Sequence, residues 1–268
     1  MIGLRFCLTL ALAGVGVVAG KERVLVLSGA NNHDWKRTTP VIVAALEKSG
    51  RFEVEVEERV MEMGSGAFAG YAVVLSNFNT YGKNAPERKE WPAATRQAFL
   101  ERVEKGMGLV IIHAGSSMFY NWPEFHTLAC GTWKNGATRH GGIHLSQVTF
   151  TDSDCPITGG LEPFWIRDEF WERIAVAPGA RSLARVTPDP GHGGSGKPQP
   201  VIFCTEYGGG RGFALFLGHD AAVMRNAAWE TLLLRGTEWA ATGKVTIPPA
   251  ANWPVTREDA SSTTTSTP

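Results

Sequence analysis

Three histidines each lie just beyond an apolar run of the kind that forms a buried strand. They are His33, His113 and His219. Ligands of open α/β sheets bind outside the carboxyl ends of the strands. The placement therefore predicts that the three imidazoles meet at one rim of a sheet, although they are scattered over nearly two hundred positions.

Two adjacent carboxylates, Asp168 and Glu169, lie within an aromatic segment and could complete such a site. Neighbouring residues of an extended chain point to opposite sides, so only one of the two can face the histidines. We predict that Glu169 does so, and that Asp168 pairs with Arg167 or Arg173 or caps backbone groups.

This residue set supports two kinds of chemistry. Three imidazoles and a carboxylate could bind a divalent metal, zinc being the first choice, with His33, His113 and His219 as ligands. Alternatively, His113, Glu169 and Asp168 could act as general acid and base without a metal. A third interpretation is that the histidines are unrelated, hydrogen-bonded loop residues, because such wide spacing is a weak metal signal.

The candidates for substrate binding are aromatic side chains and polar groups near strand ends. They are Asn31, Trp35, Asn77, Tyr120, Trp122, Trp133 and Asp220. Aromatic rings stack on the apolar faces of sugars, and nine tryptophans suit a carbohydrate ligand. The competing interpretation places most of these tryptophans in the core.

Several function classes lack their sequence signature. Lysine plus arginine balance aspartate plus glutamate at 26 each, so nothing favours a nucleic-acid partner. The loop after the first strand lacks a GxGxxG pattern, which argues against a nucleotide cofactor. A GxSxG elbow is also missing, and His113 rather than cysteine follows the central strand, which argues against thiol hydrolysis.

The elements that must position these residues alternate between strands and helices. Strands are predicted at 23–28, 52–57, 71–76, 109–112, 144–151, 181–186, 200–206 and 213–217, and helices at 40–49, 95–105 and 229–241. We expect Thr39 to cap the first helix, with Pro40 in its first position. This order predicts an α/β domain with a mostly parallel sheet.

The two ends of the chain have their own composition. Residues 1–20 resemble a signal peptide, which predicts export to the periplasm or the extracellular space. No other stretch is long and apolar enough to span a membrane. Residues 21–248 form one predicted domain, and the Pro, Ser and Thr-rich stretch 249–268 is predicted to be disordered.

Beyond the signal peptide lie Cys130, Cys155 and Cys204, of which one pair could form a disulfide, but the sequence does not say which.

A set of short motifs in a fixed order resembles the trehalose-utilisation (ThuA-like) family over residues 23–243. The motifs are His33-Asp-Trp35, Gly-Leu-Val-Ile-Ile-His113, Phe119-Tyr-Asn-Trp122, Gly131-Thr-Trp133, His140, Cys155-Pro-Ile-Thr-Gly-Gly-Leu161, Ile166-Arg-Asp-Glu-Phe170, Tyr207-Gly-Gly-Gly-Arg211 and Leu217-Gly-His-Asp220. One departure is Cys155, where relatives commonly carry histidine.

The resemblance implies a flavodoxin-like three-layer sandwich, similar to class I glutamine amidotransferases but without their catalytic cysteine. It also implies action on trehalose or related glycosides, oxidised ones among the candidates. Hydrolysis, elimination and isomerisation all remain open as the reaction, and a non-catalytic carbohydrate-binding module is the alternative. The sequence makes no prediction of oligomeric state.

Overall fold

The computed structural model describes residues 20–81 and 90–262. Apart from Gly20, the predicted signal peptide (1–20) lies outside the described residues, as do the last six residues of the predicted tail. The strands are β1 (Glu22–Leu27), β2 (Phe52–Glu57), β3 (Val73–Ser76), β4 (Gly108–Ile112), β5 (Gly131–Thr132), β6 (Arg139–His140), β7 (His144–Phe150), β8 (Phe164–Asp168), β9 (Trp171–Glu172), β10 (Ala175–Val176), β11 (Arg181–Val186), β12 (Gln199–Tyr207) and β13 (Gly210–Leu215). The helices are α1 (Trp35–Lys48), α2 (Ala93–Glu104), α3 (Pro123–Leu128), α4 (Ala227–Thr242) and α5 (Arg257–Ser262).

Within the described residues, the central sheet has nine strands in the order β2-β1-β3-β4-β13-β12-β11-β7-β8. The first five strands in this order are mutually parallel, and every pairing from β13 to β8 is antiparallel. Because β1, β3, β4 and β13 are parallel neighbours, their carboxyl ends share one rim of the sheet.

Two apolar layers cover the two faces of this sheet. Strand residues alternate between them: Val110 and Ile112 face the layer of α1 and α4, whereas Leu109 and Ile111 face the layer of α2 and α3. This alternation follows from the period of two along a strand. The predicted α/β three-layer sandwich is therefore confirmed.

The first helix begins earlier than predicted. It starts at Trp35, so Pro40 lies within the helix and Thr39 is not its cap. The Thr39 hydroxyl instead hydrogen-bonds to the Ser28 hydroxyl (2.7 Å) and accepts from the Asn77 amide (2.9 Å). These buried bonds tie α1 to the ends of β1 and β3, which outweighs the local preference for a proline near the helix start.

The prediction of disorder after residue 248 is wrong for the described part of that stretch. Trp253 lies against Phe150 and Phe164, with ring centroids 6.3 and 5.4 Å away. Val255 and Ala260 are buried, and α5 contacts β8. A few apolar anchors therefore order a segment whose average composition is polar.

A membrane-spanning helix would need both length and apolar composition, and none of the helices in the described ranges combines the two.

Replacing Val255 with alanine should lower the free energy of unfolding by about 2 kcal/mol, because two buried methyl groups are lost. Urea unfolding followed by circular dichroism measures the change. Glu258→Ala on the exposed surface of α5 is the matched control and should have an effect within about 0.5 kcal/mol. Equal stability of Val255→Ala and the wild type would contradict the packed arrangement of this segment.

Candidate functional site

The three predicted histidines lie side by side above the rim of the parallel strands. The ring centroid of His33 is 4.8 Å from that of His113 and 4.6 Å from that of His219, and the last two are 5.6 Å apart. His113 follows β4 directly with a φ of 43°. This left-handed conformation is costly for a residue with a side chain and is typically retained at functional sites.

Hydrogen bonds fix which ring nitrogen of two of these histidines faces the cluster. His113 Nδ1 donates to the Phe216 carbonyl oxygen (3.1 Å), and His33 Nδ1 donates to Asn31 Oδ1 (3.2 Å). In the neutral rings the Nε2 atoms therefore carry lone pairs. Backbone or amide acceptors behind the ring are the usual support of a metal-binding histidine.

Glu169 supplies the negative charge of the cluster. Its Oε1 atom lies 3.5 Å from His113 Nε2, and its Oε2 atom lies 3.5 Å from His219 Nδ1. The Trp171 indole N–H donates to Oε1 at 2.9 Å, which holds the carboxylate in place. The outward role predicted for Asp168 and the inward one for Glu169 agree with this geometry.

Two buried ring nitrogens point at that carboxylate without a hydrogen-bond partner among the described residues. They are His113 Nε2 and His219 Nδ1. A buried polar atom without a partner is costly, and a lone pair facing a carboxylate needs a proton or a cation between them.

The electrostatics favour the deprotonated forms of His33 and Glu169, which a cation requires, whereas a cation would have to displace a proton from His219. Burial, followed by the charges of His113 and His219, lowers the pKa of His33 to about 3. Burial would raise the pKa of Glu169, but the nearby rings of His113 and His219 and the hydrogen bond from Trp171 hold that pKa well below its usual range. Burial likewise opposes protonation of His219, but Glu169 raises the pKa of His219 overall.

The donor set fits a divalent metal ion. One ligand atom from each of His33, His113, Glu169 and His219 can be chosen so that all four lie within 4.8 Å of one another. Imidazole nitrogen and carboxylate oxygen are ligands that zinc and related first-row ions accept. The unpartnered nitrogens of His113 and His219 are the observation on which this fit rests.

Asp168 positions the cluster instead of taking part in it. Its carboxylate is fully buried and accepts backbone N–H groups from Gly218 (2.7 Å), His219 (3.1 Å) and Glu169 (2.8 Å). Burial raises the pKa of Asp168. Both oxygens face backbone groups, so the geometry does not support the predicted catalytic role of Asp168. Of the alternatives predicted for this residue, the structure shows the capping of backbone groups and not a pair with Arg167 or Arg173.

The asparagines predicted to bind substrate form a support beneath His33. The Asn31 amide donates to the Asn77 carbonyl oxygen (3.0 Å), and Asn31 Oδ1 also accepts from the backbone N–H of His33 (2.9 Å). The Asn77 amide donates to the hydroxyls of Thr38 and Thr39. Neither asparagine lines the cavity, so both act by holding the loop that carries His33.

A cavity of about 270 Å³ opens above the cluster. Of the predicted substrate-binding residues, Trp133 lines it. The rest of its wall is formed by Asn32, His33, Tyr81, Ala114, Ser117, His140, Glu169, Trp171 and His219. The size lies near the lower end for ligand sites, which suits one small, ring-sized group.

Sequence reasoning missed six of the ten wall residues as site residues, among them Tyr81, His140 and Trp171. His140 Nδ1 lies 3.1 Å from Glu169 Oε2, and pairing of β6 with β9 sets His140 opposite Trp171. Tyr81 and Trp133 have ring centroids 6.2 Å apart. The available signals were the position of Tyr81 beyond a strand end and the place of His140 among the family-like motifs.

Four other predicted binding residues lie elsewhere in the fold. Trp122 is buried in an aromatic cluster, 5.5 Å from the Phe119 ring. Trp35 lines a separate groove between α1 and β2. Tyr120 packs beside His126, and the Asp220 carboxylate accepts the N–H groups of Ala222 and Val223. Packing and turn capping account for these positions.

Comparison with known proteins links this architecture to one family. The model of the ThuA family, described as trehalose utilisation, matches residues 23–240. A ThuA-like protein from Parabacteroides merdae has 30% sequence identity and a TM-score of 0.76, covering 88% of this chain and 95% of that one. None of the curated proteins matches the chain.

Two more distant solved structures share the fold alone. A ThuA-like protein from Bacteroides uniformis is 15% identical with a TM-score of 0.56, covering 85% of this chain and 96% of that chain. A protein from Thermoplasma acidophilum described as a GMP synthase component is 12% identical with a TM-score of 0.50, covering 84% and 96%. The second likeness agrees with the amidotransferase-like fold predicted from the sequence.

Asp168→Asn should lower the free energy of unfolding by about 2–3 kcal/mol, because an amide N–H₂ would face backbone donors that lose their acceptor. Asp220→Asn is the matched control. Both of its bonds use Oδ1, which asparagine keeps, so the loss should stay below about 1 kcal/mol. Urea unfolding of the two variants measures the difference, and equal losses would contradict the structural role of Asp168.

Proposed function

This chain belongs to the ThuA trehalose-utilisation family, and from that premise we propose that it is a metal-dependent enzyme acting on trehalose or a related glycoside. The observation that carries the proposal is the pair of unpartnered buried nitrogens, on His113 and His219, that face the Glu169 carboxylate. A cation between these groups would satisfy all three at once.

We propose a first-row divalent ion, with zinc as the first candidate, held by His33, His113, His219 and Glu169. Three nitrogen donors and one oxygen donor suit zinc better than magnesium or calcium, which prefer all-oxygen sites. Such an ion acts as a Lewis acid on a substrate oxygen. In the metal-free alternative, Glu169 and the same histidines would act as general acid and base and exchange protons with the substrate.

The cavity wall supports a sugar ring next to the cluster. Trp133, Trp171 and Tyr81 provide aromatic surface, while His140, Asn32 and Ser117 provide hydrogen-bonding groups. This combination of apolar faces and polar tips matches the two faces of a sugar ring. His140 is the wall histidine outside the proposed ligand set, and its side chain is 41% exposed, so it can move a proton between a sugar hydroxyl and solvent.

Export remains part of the proposal and rests on residues 1–20. The second candidate function, a non-catalytic carbohydrate-binding module, is favoured by the same aromatic wall. A binding module needs no metal and turns over no substrate. Measurements of metal content and of turnover therefore distinguish the module from the enzyme.

Purified protein stripped with a chelator and titrated with Zn²⁺ should bind about one ion per chain in isothermal titration calorimetry. His113→Ala and His219→Ala should weaken binding by about 100-fold or more, since each removes a ligand. His192→Ala, in an exposed loop outside the cluster, is the control and should bind as the wild type does. Absence of binding by the folded wild type to zinc, manganese and iron(II) alike would refute the metal-dependent proposal.

Trehalose and related glycosides should quench the tryptophan fluorescence of the metal-loaded protein, because Trp133 and Trp171 line the cavity. Trp133→Ala should weaken this binding by about 10-fold, at the scale of one lost aromatic contact. Trp35→Ala, in the separate groove, should leave it unchanged. Chromatography of the glycoside then tests turnover, and binding without turnover in every metal form would favour the binding module over the enzyme.

A further inference from the structure

We propose that Cys155 and Cys204 form a disulfide when the protein meets an oxidising thiol–disulfide pair. The sequence leaves the pairing of the three cysteines beyond residue 20 open. The structure assigns the pair, because the pairing of β11 with β12 and an ion pair between Arg181 and Asp152 bring these two side chains together. The proposal does not involve the histidine cluster and is independent of the proposed function.

Strand pairing and an ion pair bring the Cys155 loop over β12. Cys204 lies directly opposite Arg181 in the pairing of β12 with β11. The Arg181 guanidinium donates to the Asp152 carboxylate, and Asp152 Oδ1 accepts the backbone N–H of Cys155 at 3.3 Å. Both cysteines are buried, with 1% and 4% of their surfaces exposed, in the same apolar cluster.

The two thiols interact with each other. A side-chain hydrogen bond between them lowers the pKa of Cys155 and, together with burial, raises the pKa of Cys204. The nearby Arg181 charge also lowers the pKa of Cys155. Cys155 is therefore the thiol that forms a thiolate first, and the thiolate is the attacking species in disulfide exchange.

The third cysteine is excluded by the sheet. Cys130 belongs to the apolar cluster on the opposite face, where its thiol lies near the carbonyl oxygens of Leu128 (3.7 Å) and Gly212 (3.9 Å). Burial raises the pKa of Cys130 strongly. A disulfide from Cys130 to either of the others would have to pass through the sheet.

The loop that carries Cys155 is already held in position before any covalent bond forms. The buried Arg235 guanidinium donates to the carbonyl oxygens of Pro156 (2.8 Å), Ile157 (2.7 Å) and Gly159 (3.0 Å). The Thr158 hydroxyl donates to the Asp152 carbonyl oxygen. Closing the bond therefore requires little further ordering of the native loop.

Oxidised glutathione can accept the electrons that this bond releases. The Cys155 thiolate attacks one sulfur of the glutathione disulfide, which forms a mixed disulfide and releases one glutathione thiolate. The Cys204 thiolate then attacks the Cys155 sulfur and releases the second. The two protein thiols lose two electrons, the donor disulfide gains them, and the two protons from the cysteines protonate the departing thiols.

The test is to refold the full chain from denaturant in a glutathione redox buffer and in a fully reduced buffer. Tryptic digestion without reduction should yield a linked pair of peptides, 140–167 and 186–211, two hydrogens lighter than their sum. The oxidised protein should have two fewer free thiols than the reduced one. Its Tm should be higher by roughly 5–10 °C, because the bond closes a loop of about 50 residues.

Three alanine variants complete the test. Cys130→Ala should keep the linked peptides and the Tm difference between buffers, whereas Cys155→Ala and Cys204→Ala should lose both. If these variants do not fold, the wild-type peptide map alone decides. Unchanged thiol content, a link between any other pair of cysteines, or glutathione left on Cys155 without closure would each overturn the proposal.

Discussion

The buried carboxylate of Asp168 is the interaction on which the arrangement of the candidate site depends. It accepts the N–H groups of Gly218 and His219 beyond β13 and of Glu169 beyond β8, although these strands are far apart in the sheet order. Three donors offset the cost of burying this carboxylate. Gly218 has a φ of 110°, a conformation that favours glycine, so the turn that presents its N–H depends on the missing side chain. The same three bonds set Glu169 and His219 beside each other.

Each group of the cluster is held from behind by a different part of the fold. The Phe216 carbonyl holds His113, the asparagine network holds His33, and the Trp171 indole holds Glu169. The atoms that face inward are therefore oriented in advance, which lowers the cost of binding a cation or a polar ligand. The imidazoles lie too close together for all of them to carry protons. Burial, followed by the charges of the neighbouring histidines, lowers the pKa of His33.

The fold and the chemistry of the site give different kinds of information about function. Likeness to an amidotransferase-like protein at 12% identity concerns the fold alone. The chain carries His113 after the central strand, in a strained conformation that directs its ring into the cluster. The shared fold therefore does not identify the reaction, because function is set by the residues at the strand ends.

Patterns in the sequence predicted eight of the nine strands that the described residues place in the central sheet, all but β8, and the meeting of the three histidines at one rim. Strands 52–57 and 181–186 were predicted to the residue, since apolar periodicity and turn residues are local signals. The local pattern was misleading for Pro40, which lies inside α1, and for Val255, which packs in a polar segment. Only the tertiary structure decided that Asp168 accepts the backbone N–H groups of Gly218 and His219, that His140 joins the wall and that Trp122 belongs to the core. Those assignments depend on contacts between residues far apart in the chain, which no local pattern encodes.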